Sequence, residues 1–62
     1  MGAETPIVTR SDKHACAVRE LNKRRSAYPR WVSAGKMTMA TATREIMVME
    51  AIVKDYEPER LL

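Results

Sequence analysis

The strongest periodic signal lies in the second half of the chain. At about 100° per residue, Ala42, Ile46, Met49, Val53 and Tyr56 recur at helical spacing and form one apolar stripe, which Ile52 widens. This phase predicts a helix from Met39 to about Tyr56, with Thr38 as its N-cap and Pro58 preventing much extension. Met47, Val48 and Ala51 fall on another side of the same helix, with Glu50 and Lys54 along one border. A single neighbouring helix can cover only one of these two sides.

The first half predicts a second long helix. Ser11 is the expected N-cap and Asp12 lies in the first turn, where a carboxylate suits the helix dipole. From Asp12 the helix runs to about Ser26 or Tyr28 through Ala15, Cys16, Ala17, Val18 and Leu21, free of Gly and Pro, with Glu20 and Arg24 as an i, i+4 pair. Pro29 ends or bends it, because Tyr28 before a proline is pushed out of the helical region. Pro29 to Gly35 then has proline at a natural first helical position and glycine at a natural C′ position, the signature of a short corner helix. The expected fold is all-α: an antiparallel hairpin of two long helices with a short corner helix. Residues 1–10 form a flexible N-terminal arm in which Pro6, Ile7 and Val8 can dock, 11–57 the hairpin domain, and 58–62 a short tail.

The stripe of the second helix is expected to pack on Val18, Leu21 and Tyr28, the main large apolar groups of the first. A 62-residue chain with so few of them has a marginal core as a monomer. A homo-oligomeric bundle is therefore expected, with Met47, Val48 and Ala51 at the interface. The alternative is that the N-terminal arm covers this face.

Charge changes the picture at the corner. Residues 10–30 hold seven basic and two acidic side chains and residues 41–60 three and five, so the helices are oppositely biased and suited to pair. Lys23, Arg24, Arg25, Arg30 and Lys36 gather near one end beside Tyr28 and Trp31. Cations interleaved with aromatic rings are what a nucleotide or a single-stranded nucleic acid needs, so Lys23, Arg24, Arg25, Arg30, Trp31 and Lys36 are candidate binding residues. The plainer readings are a solvated basic face and a Trp31 that plugs the core. No helix-turn-helix, zinc-finger or basic-zipper pattern is present.

Catalysis and metals find little support. His14 is the one histidine and has no nucleophile beside it, Glu45 and Glu50 lie on different faces, and no glycine-rich phosphate loop occurs, so an enzyme is not expected. His14 and Cys16 point to different faces and Cys16 is the sole cysteine, so neither a metal site nor a disulfide is expected, and no cofactor. The longest apolar run, Ile46 to Met49, is far short of the roughly 20 residues of a membrane span, and the N-terminus lacks the features of a secretory signal. A cytoplasmic protein that does not enter membranes is the resulting expectation.

Arg24-Arg25, Tyr28-Pro29, Val32 followed by Gly35-Lys36-Met37-Thr38, Arg44-Glu45-Ile46, Met49-Glu50-Ala51-Ile52 and Asp55-Tyr56 form an ordered series between Arg19 and Tyr56. In these pieces, over more than half its length, the chain resembles a group of short hypothetical proteins of proteobacterial phages and prophages. Thr43 departs from the pattern, which has an acidic residue there. The resemblance implies a phage or prophage origin and a host bacterial cytoplasm. Small phage proteins include many inhibitors of host enzymes or defence complexes, anti-CRISPR proteins among them. The leading expectation is a non-enzymatic helical protein that binds and blocks a host protein. The rivals are a binder of nucleotides or single-stranded nucleic acid through the basic corner, and a structural oligomer scaffold.

Overall fold

The computed structural model describes residues 7–58, and among them the chain forms two α-helices and no strand. Helix α1 spans Arg10–Ser33 and helix α2 spans Met39–Asp55. Contacts between them run in reverse order: Arg10 reaches Asp55 and Glu57, Arg25 meets Glu50, and Tyr28 and Val32 share a cleft with Met39 and Ala42. The pair is thus an antiparallel hairpin. No helix of the described residues is long and apolar enough to cross a membrane.

Helix α1 is capped two residues earlier than expected. Thr9, not Ser11, is the N-cap: its Oγ1 accepts the Asp12 amide at 3.0 Å, while the Asp12 carboxylate accepts the Thr9 amide at 3.0 Å. This reciprocal capping box satisfies two otherwise unpaired amides, which a cap at Ser11 would not do. Arg10 therefore belongs to the helical unit and not to an N-terminal arm. Residues 1–6 and 59–62, which hold most of the expected arm and tail, lie outside the described residues, whereas Ile7 and Val8 are exposed and undocked.

The second correction concerns Pro29, which neither ends α1 nor opens a separate corner helix. The helix continues through it to Ser33, so Pro29–Ser33 is the last part of α1. Proline removes the hydrogen bond to the carbonyl four residues back, here that of Arg25. Arg25 and Pro29 are both exposed, so water can serve that carbonyl. Continuing the helix also keeps Val32 beside α2, half-buried next to the buried Tyr28. That packing outweighs the local preference.

The reversal has the expected chemistry. Ala34 is the C-cap of α1 and Gly35, at φ 76°, occupies the left-handed C′ position. Gly35 donates to the Val32 carbonyl at 3.0 Å and Lys36 to the Trp31 carbonyl at 2.9 Å, the two bonds of a Schellman motif. Thr38 caps α2 by accepting the Thr41 amide at 3.1 Å, and Tyr56 is its C-cap. Across the helix interface only Ala17, Leu21, Tyr28 and Ala42 are buried among the described residues. The expected stripe of Ala42, Ile46, Met49, Ile52, Val53 and Tyr56 does turn inward, but of its members only Ala42 is buried and the others keep partial access to solvent.

Candidate functional site

Helix α1 holds the basic corner, and most of its cations are engaged. Arg24 Nη1 donates to Glu20 Oε1 at 2.8 Å and to the Glu20 carbonyl at 3.0 Å. Lys23 Nζ lies 3.6 Å from the other carboxylate oxygen of Glu20. These partners hold the Glu20 carboxyl below its ordinary range, chiefly through the Arg24 hydrogen bond and then through the charge of Lys23. The same hydrogen bond raises Arg24 above its usual value. Arg25 reaches across to Glu50 of α2 at 2.7 Å and ties the helices together.

Arg30 and Lys36 complete the expected set. Both are exposed, and neither forms an ion pair among the described residues. Trp31 is 44% exposed, so it is no core plug; its ring lies 5.5 Å from that of Tyr28 at an interplanar angle of 35°. A shallow hollow of about 250 Å³ is lined by Glu20, Lys23, Arg24, Ala27, Tyr28 and Trp31. Lys23, Arg24 and Trp31 are thus brought together, with a carboxylate among them. Arg25 is drawn toward α2 and Lys36 belongs to the turn.

Sequence periodicity passed over a second surface. An open cleft of about 280 Å³ lies between the helices near the turn, lined mainly by Tyr28, Pro29, Val32, Met39, Ala42 and Ile46. Its lining is largely apolar, and Met39 at the rim is 67% exposed. Two consequences of sequence build it: α1 continues past Pro29, which brings Val32 alongside α2, and small Ala42 leaves room opposite Tyr28. Met39 precedes Ala42 by three residues and Ile46 by seven, so extending the stripe backward would have found it.

Met47, Val48 and Ala51, the expected oligomer residues, form a third surface on the side of α2 away from α1. All three are exposed, Met47 by 53% and Val48 by 39%. Neither the described part of the N-terminal segment nor α1 covers them.

Among the described residues, no cluster of three or more His, Cys, Asp or Glu side chains is placed to hold a metal ion. His14 is half-buried, Cys16 is an exposed free thiol, and Glu50 is committed to Arg25. No protein family, curated protein or solved structure shows a significant match to the chain.

Proposed function

We propose that the protein is a non-enzymatic interaction protein that docks its turn-end apolar cleft onto a host protein and inhibits it by covering a functional surface. The observation that carries this reading is the cleft with Met39 at its rim, an apolar and partly preformed concavity on a hairpin whose described residues include only four buried side chains. Such a cleft suits an apolar anchor from a partner, and a flexible methionine can adapt to it. The direction toward a host protein, with a defence complex as one such target, rests on the resemblance of Arg19 to Tyr56 to short phage and prophage proteins.

The nucleic-acid reading has less support. Glu20 engages Lys23 and Arg24 and Glu50 engages Arg25, which leaves Arg30, Lys36 and the half-exposed Trp31 as its strongest residues. A phosphate backbone would have to compete with those carboxylates.

The test is affinity capture from a nuclease-treated lysate of the bacterium that carries the gene, with the unaltered chain and with Met39→Glu. Because Met39 is 67% exposed, the substitution is expected to leave helix content unchanged, which circular dichroism checks. We expect one stoichiometric protein that Met39→Glu fails to retain. Recovery of nucleic acid alone, or of a partner indifferent to the substitution, overturns the proposal.

A further inference from the structure

The outward side of α2 carries more than three apolar residues. Arg44, Val48, Ala51 and Asp55 follow one another at spacings of four, three and four, which places them on one side of the helix. All four are exposed, and neither Arg44 nor Asp55 forms an ion pair among the described residues. Arg10 donates to the main-chain carbonyl of Asp55 at 2.6 Å and leaves the carboxylate out of that contact.

This spacing reads the same in both directions. An antiparallel copy of α2, related by a two-fold axis level with residues 49 and 50, therefore sets Arg44 opposite the second copy's Asp55 and Val48 opposite its Ala51. The symmetry repeats each pairing at the other end. Charges are opposite at the two ends and apolar residues occupy the middle, so the surface is complementary to itself. Ala51 allows the helices to approach at Val48, and Met47 borders the seam on one flank, where an unbranched thioether fills uneven space. Met49 and Glu50, level with the axis, are turned elsewhere: Met49 toward α1 and Glu50 toward Arg25.

We propose that α2 pairs antiparallel with α2 of a second copy through Arg44, Val48, Ala51 and Asp55, so that two hairpins form a four-helix homodimer. The occupant is a second copy because charge complementarity arises only when the same seam is reversed against itself; a parallel pairing would set like charges together. The seam lies on the opposite side of α2 from α1, separate from the turn-end cleft, so its test is independent of the proposed function.

Charge exchange tests the register. Arg44→Glu sets two carboxylates opposite each other at both ends of the dimer, and Asp55→Arg does the same with two cations. Each variant alone is expected to weaken self-association at least ~10-fold and to sediment mainly as monomer where the unaltered chain is a dimer. Mixed in equal amounts, the two variants are complementary at both ends and are expected to recover the dimer mass. The recovery also shows that neither variant has failed to fold. A monomeric unaltered chain at high micromolar concentration overturns the proposal, as does a mass indifferent to either substitution or a mixture that stays monomeric.

Discussion

The two ends of the hairpin are closed by different physics. At the turn end, covalent connection brings the helices together, and local backbone bonding does the rest: the Schellman motif at Gly35 and the Thr38 cap fix the reversal. At the terminal end no such link exists. There the Arg10 guanidinium donates to the carbonyls of Asp55 at 2.6 Å and of Glu57 at 3.2 Å, at the C-terminus of α2. Lys13 adds its ammonium 5.6 Å from the centre of the Tyr56 ring. The cation at Arg10 meets both unpaired carbonyls and the negative end of the helix dipole. The connected end can therefore leave its side chains open as an apolar cleft, whereas the unconnected end uses side chains to hold the helices together.

This contrast can be broken at each end separately. The largest effect is expected from Gly35→Ala. No atom lies within 4 Å of the added methyl group, so the penalty is that of a side chain at positive φ, about 1–2 kcal/mol. Chemical denaturation should record this loss almost unchanged between low and high salt. Arg10→Gln should cost less, about 0.5–1 kcal/mol, because its contacts are exposed and screened. Its effect should shrink as salt rises, and amide exchange should quicken first around Asp55 and Tyr56. Equal salt dependence at the two ends would remove the distinction.

Acid should give the smallest effect and act on the first two-thirds of α1. The carboxyl of Asp12 is held below its ordinary range by the Thr9 amide and then the Thr9 hydroxyl, and that of Glu20 by Arg24 and then Lys23. Folding thus favours their charged forms. Their contribution to stability is complete above the ordinary carboxylate range, near pH 4, and disappears as pH falls through the lowered folded values. Helicity followed by circular dichroism should decline over that acid interval, and Asp12→Asn should flatten part of the decline. A profile unchanged by Asp12→Asn would mean that the capping box does not stabilise α1.

The parts legible in the sequence were those governed by near neighbours along the chain. Thr38 as a cap, Gly35 at C′, the Glu20–Arg24 pair and the inward stripe of α2 each depend on residues within one or two helical turns. The misread parts involve competition between signals. Ser11 and Thr9 are both acceptable caps, and the reciprocal bond with Asp12 selects Thr9. Pro29 is a local stop signal overridden by packing of its neighbours against α2. The basic corner was legible as composition, but its pairing was only partly so: Glu20 lies within a turn of Lys23 and Arg24, whereas Glu50 is 25 residues from Arg25.

By itself, the sequence determined two amphipathic helices, the place of the reversal and a second apolar side on α2, because periodicity and capping are short-range properties. Only the tertiary structure decided that Arg10 closes the terminal end, that Arg25 is drawn to Glu50, and that Pro29 and Val32 line a cleft with Met39. Those features require groups distant along the chain to meet, and their positions depend on how α1 and α2 are aligned. That alignment emerges when two whole surfaces pack, which no local spacing specifies.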